Sequence, residues 1–185
     1  LLYMCEKKYS LPCTYLREYV QNRDAILAQH VLNKTDVIAA IYSDKIRKDL
    51  NNSSWFLMLG TELMAIRDWF AGNLNHPDFS QIDFTKSTKK ETNAKGSALN
   101  RIICMHEETV NQMAQSCFKQ IDTDTFDGFH VDKAEFKGEE TIAMLNETTK
   151  EYGVQWKQKP FDFSLEVPSD FMFENNLNQL TDYVS

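Results

Sequence analysis

Residues 55 to 70, "WFLMLGTELMAIRDWF", constrain this chain more than any other stretch. The segment is apolar on nearly every side of a helix, and a helix of that kind has to be surrounded. It is therefore expected at the centre of the fold. The polar break "NNSS" precedes it, and Ser53 or Ser54 supplies an N-cap hydroxyl. Helices that can cover it lie on both sides. Residues 12 to 29 carry Tyr15, Leu16, Tyr19, Val20, Ile26 and Leu27 at near-helical spacing, with Pro12 suited to a first turn. "NKTDVIAAIYSDKIRKDL" offers Val37, Ile38, Ile41 and Ile46 on one side of a second helix. A long helix follows from Ser97 as its cap, with an inward stripe of Leu99, Ile102, Ile103, His106, Val110, Met113, Ala114 and Cys117. Asn100, Cys104, Glu107 and Asn111 form a more polar stripe beside it.

After the helices the periodicity changes. In "IDTDTFDGFHVDK" two β-friendly runs meet at Asp127-Gly128, a dipeptide suited to a type I′ turn. The spacing predicts a hairpin over 121 to 132 with a two-residue turn. Phe126 would then face Phe129, Thr125 would face His130, and Thr123 would face Asp132. A helix ending at Gly153 comes next, then "VQWKQK", which alternates like a strand up to Pro160, and "FDFSLEVPSDFMF", irregular or an edge strand. The expected fold class is α+β, a helical part packed on a small antiparallel sheet with helices. We divide it at residues 1–96, helical with a basic loop, and 97–185, α+β.

Between the third helix and the long one, residues 72 to 97 are polar and carry Lys86, Lys89, Lys90 and Lys95. This stretch is expected to be a mobile loop, exposed over 85 to 96. It is either a solvated face or a phosphate-contacting patch. The net charge of −7 disfavours a nucleic-acid grip by the whole surface, so any such grip has to be local. No apolar run is long enough for a membrane span. The four cysteines show no zinc or CxxC spacing, and an intracellular, reducing location is expected. The first ten residues read as a start inside a longer protein. Walker, GxGxxG, GxSxG and HExxH motifs do not occur.

The chemistry-bearing residues allow two readings each. Asp127 is either a turn former or a carboxylate presented on a rigid hairpin to bind Mg²⁺. His106 reads as a core histidine. His130 either orients Asp127 or pairs with Thr125. Asn100, Glu107 and Asn111 either contact a ligand or form a wet helix face.

Taken in order, "LLYMCEKKYSLPCTYLREYVQNRDAIL", the Lys-bearing helix, "GSALNRIICMHEETV", "FDGFHVD" and "YGVQWKQKPFD" resemble the C-terminal half of a DNA polymerase. The resemblance is to the divergent family A-like polymerases of virophages, giant viruses and large DNA transposons. It covers most of the chain through short motifs. It implies a fingers-like part and a palm-like part, two-metal nucleotidyl transfer with Mg²⁺, and DNA primer–template and dNTP as partners. Asp127 would be the second metal-binding aspartate, the first lying upstream of Leu1. Lys34 would open the triphosphate-binding fingers helix, with Tyr42 as the aromatic two turns later. Asn100 would face the primer–template. One position departs: Ile38 stands where the family has a triphosphate-binding lysine. A non-catalytic nucleic-acid- or protein-binding module of a replication protein, and a helical interaction domain, are the alternatives.

Overall fold

The computed structural model describes residues 1–43, 45, 53–89, 92–125 and 128–159. Asp127, Lys90, Ile46 and the segment after 159 lie outside the described residues, and with them the expectations that fall there. The chain forms α1 (Thr14–His30), α2 (Lys34–Tyr42), α3 (Ser54–Gly72), α4 (Thr85–Thr88), α5 (Ala94–Gln115), the strands β1 (Ile121–Thr125) and β2 (Gly128–Val131), and α6 (Glu139–Thr148). Short helical turns stand at Met4–Lys8, Pro77–Phe79 and Lys150–Tyr152. Helices dominate, the two strands pair antiparallel, and the fold class is α+β.

α3 occupies the centre, packed on α1, α2 and α5. Its buried face is Trp55, Phe56, Leu59, Gly60, Leu63, Ile66, Arg67 and Phe70, spaced for one side of a helix. Ser53 caps it by accepting from the Phe56 amide. It is not covered all round, since Leu57 and Met58 face out. Arg67 is buried within this face, and its Nη1 donates at 3.1 Å to the carbonyls of Ala40 and Ile41 at the end of α2. A cation there satisfies carbonyls that a helix C-terminus leaves without intrahelical partners.

The N-terminus of α1 is satisfied from outside. Cys13 offers no side-chain cap, and Glu62 of α3 accepts from the amides of Leu16 at 2.8 Å and Tyr15 at 3.2 Å. On α1 the buried residues are Leu16, Tyr19 and Ile26, while Val20 is exposed. On α2, Asp36 accepts from the Asn33 amide, one arm of a capping box, and Val37 is fully buried. Ile38, expected on the same inward side, is exposed. Residues 37 and 38 are about 100° apart on a helix, and the contact with α3 covers only one of them.

Two expectations for residues 72 to 97 are corrected. Phe79 is buried among Tyr9, Phe70 and His76, and Thr85–Thr88 form a helical turn whose Ser87 is fully buried, so this is not an unanchored loop. Ser97 does not cap α5. The helix starts one turn earlier, at Ala94 after the left-handed Asn93, and Ser97 donates its hydroxyl to Ser87 instead. Gly96 sits inside the helix, where the Tyr42 carbonyl comes too close for any side chain.

α5 spans both halves of the molecule. Leu99, Ile102 and Ile103 join the main core, whereas Val110 and Ala114 lie on the half that meets β2 and α6. The hairpin register also differs from expectation. Thr123 pairs with His130, Asp124 with Phe129 and Thr125 with Gly128, with an irregularity between Ile121 and Thr123. Gly128 is therefore a strand residue. The partner of Thr123 has moved by two positions, so each side chain keeps its face and the polar–apolar pattern cannot distinguish the registers. Residues outside the hairpin fix it: Phe129 lies between Phe118 and Trp156, with ring centroids 5.5 and 5.4 Å away. "VQWKQK" is not a strand. Its Trp156 donates from the backbone to Asn146 at 2.7 Å and from the indole to Thr149 at 2.9 Å, tying the segment to α6.

Candidate functional site

The end of α2 meets the start of α5 at Gly96. A β-carbon at that position would stand 1.9 Å from the Tyr42 carbonyl oxygen, so only glycine permits the approach. The Tyr42 side chain is half-buried against the same helix. Burial, then the charge of Glu107 and the thiol of Cys104, raises its hydroxyl above the ordinary pKa. Asn100 lies one turn beyond Gly96 and is exposed. The structure thus brings Tyr42 to α5, the helix that carries Asn100. Lys34 opens α2 and is exposed at its far end, about 12 Å along the axis from Tyr42.

The other end of α5 holds the hairpin. Asn111 Nδ2 and Gln115 Nε2 both donate to Oδ1 of Asp124 at 2.9 Å. The two amides are four residues apart and share a helix face, so they grip one carboxylate together. That spacing was available in the sequence. What the sequence did not offer was a reason to pair it with Asp124. His130 stands opposite Thr123 rather than Thr125.

Lys89 is exposed just past α4. α4 lies against α5, and buried Ser87 joins them, accepting from Ser97 Oγ and from Arg101 Nε, each at 3.1 Å. Neither Ser87 nor Arg101 stood out from composition or spacing.

Comparison of the chain with family models, with curated proteins and with solved structures finds no match.

A cavity of about 290 Å³ opens between the N-terminal segment, α5 and residues 152 to 156, lined by Tyr3, His106, Glu107, Asn111, Tyr152 and Trp156 among others. His106 is the partly buried histidine of the inward stripe. Burial, then the nearby Lys8 ammonium, lowers its pKa to about 4, against a smaller opposing pull from Asp78. Its Nε2 and the Oδ1 of Asn111 are buried with no hydrogen-bond partner among the described residues. At neutral pH the ring is uncharged, so it cannot serve as a cationic anchor.

Among the described residues no three His, Cys, Asp or Glu side chains converge to hold a metal ion. Asp124 has one oxygen engaged by two amides. The described residues alone therefore do not make a divalent-cation site, and Asp127 lies outside them. All four cysteines are free, with Cys5 and Cys13 buried. Burial pushes the Cys5 thiol up to about 12, which makes it inert as a nucleophile. Among the described residues no helix is long and apolar enough to cross a membrane.

Proposed function

We propose that this chain is the fingers-and-palm part of a divergent family A-like DNA polymerase and serves template-directed DNA synthesis. The observation that carries the reading is the double engagement of α5. At Gly96 it receives the end of the Lys34–Tyr42 helix, and at Asn111 and Gln115 it holds the hairpin that leads to Asp127. Nucleotidyl transfer needs a nucleotide-binding element and a carboxylate-bearing element fixed relative to each other. One rigid helix joining both supports that role.

In this reading Lys34 meets nucleotide phosphates, Tyr42 the sugar or base, and Asn100 the primer–template. Lys89 and Lys90 lie along the DNA backbone. Asp127 is a ligand for Mg²⁺, which would neutralise charge on the transferring phosphoryl group. Its partner carboxylate is not identified among the described residues. An intracellular location suits four unpaired thiols.

The test is primer extension with Mg²⁺ by the full-length polypeptide that carries this sequence. Asp127→Asn keeps size and turn preference but loses the charge, so extension should vanish while the melting temperature holds. Full activity of a folded Asp127→Asn protein overturns the site.

A protein-docking module is the second reading. It is favoured by the largely apolar groove of Leu11, Pro12, Tyr15, Met58 and Trp69, beside the start of α1 on α3.

A further inference from the structure

The patch where α4 meets α5 holds an arginine that is positioned but not used. Arg101 donates through Nε to Ser87 Oγ at 3.1 Å, and its terminal Nη groups bond to nothing among the described residues. Ser87 is fully buried and also receives the Ser97 hydroxyl, so the group holding the guanidinium is itself fixed from α5. An arginine held by Nε keeps its two-pronged outer edge free, and that edge matches two phosphate oxygens.

In an acidic protein, two lysines, Lys86 and Lys89, flank Ser87 along the chain. Lys8, Arg17, Lys95 and Lys150 each have a carboxylate partner. Lys86, Lys89 and Arg101 have no such ion pair among the described residues. Asp83 is the carboxylate that feels Arg101 and Lys86, yet its oxygen accepts from the Thr85 amide at 2.9 Å and so opens α4. Its single negative charge offsets part of the three positive charges of Lys86, Lys89 and Arg101.

We propose that Arg101 is a direct contact to a DNA backbone phosphate, flanked by Lys86 and Lys89, and that Ser87 is the residue that positions it. This rests on the reading of the chain as a DNA-handling protein, and it adds a backbone contact which the sequence motifs do not include. The four-residue α4 serves as a bracket. It brings two lysines alongside a helix whose next exposed side is Asn100.

The experiment titrates the chain into a fluorescein-labelled primer–template duplex at several KCl concentrations. Arg101→Gln should weaken binding about tenfold at low salt. It should also reduce the slope of log affinity against log salt by about 0.9, the share of one phosphate. Arg101→Lys keeps the charge but cannot be held through Nε, so it should lose affinity and keep the slope. Ser87→Ala should weaken binding in the unaltered chain and have no further effect beside Arg101→Gln, as a double-mutant cycle requires of a residue acting through another. A purely structural Ser87 would give additive losses, and that result overturns the positioning role. Unchanged affinity and slope in Arg101→Gln, or no DNA binding by the unaltered chain, overturns the proposal. None of these measurements uses catalysis. If Asp127→Asn leaves primer extension intact while Arg101→Gln still weakens binding, the polymerase site fails and the phosphate contact stands.

Discussion

Gly96 and Tyr42 touch through backbone alone: the α-carbon of one leaves room for the carbonyl oxygen of the other, and a β-carbon would come within 1.9 Å of it. A flexible side chain could move aside, but a carbonyl at a helix end cannot move without its helix. Gly96→Ala should therefore destabilise the protein by about 2–3 kcal/mol, despite the better helix propensity of alanine. Urea denaturation of the two proteins measures it. A neutral or stabilising result would mean that α2 and α5 do not meet there.

Glu62 supplies the cap that α1 lacks in its own sequence. Glu62→Ala leaves the Tyr15 and Leu16 amides without that acceptor and removes a negative charge from a helix N-terminus. The expected cost is about 1–2 kcal/mol. Glu62→Gln should lose less, because one oxygen remains to accept. Equal melting temperatures for the alanine variant and the unaltered protein would show that the contact carries no weight.

Asp124 is exposed, so its bonds to Asn111 and Gln115 count for less than buried ones. Asp124→Ala should cost only about 1 kcal/mol globally. Its main effect should be local, as faster amide exchange over β1 and β2 with α3 unchanged. Exchange that rises equally across the molecule would argue against a specific link between α5 and the hairpin.

His106 makes stability depend on pH with a definite sign. Its folded pKa is about 4, below the ordinary 6.5, so between those values the unfolded chain binds a proton that the folded chain refuses. Stability is full above about pH 6.5 and falls as pH drops toward 4. The loss should be on the order of 1–2 kcal/mol, since part of the ring meets water. Carboxylates titrate near the lower end, so the comparison is with His106→Gln, whose stability should be flatter from pH 6.5 to 4.5. Parallel curves for the two proteins would place the ring in a wetter site.

What the sequence determined by itself was short-range. The spacing of Phe56, Leu59, Leu63, Ile66 and Phe70 makes α3 a helix with a face to bury, and Ser53 starts it, because periodicity and a cap act within one or two turns. Alternation over 121 to 131 gave two strands and the face of each side chain. Local spacing likewise put Lys34 and Tyr42 on one helix and Asn100 on another, but not the end of α2 at Tyr42. The tertiary structure decided the rest, and in each case the deciding partner is remote in the chain. Register came from Phe118, Trp156, Asn111 and Gln115, since a shift of two leaves every face intact. The place of "VQWKQK" came from Asn146 and Thr149 rather than from its own alternation. The need for glycine at position 96, the cap of α1 and the setting of Arg101 came from Tyr42, Glu62 and Ser87. Hydrogen bonds and steric limits between distant segments exist only once the helices have packed, so no local pattern encodes them.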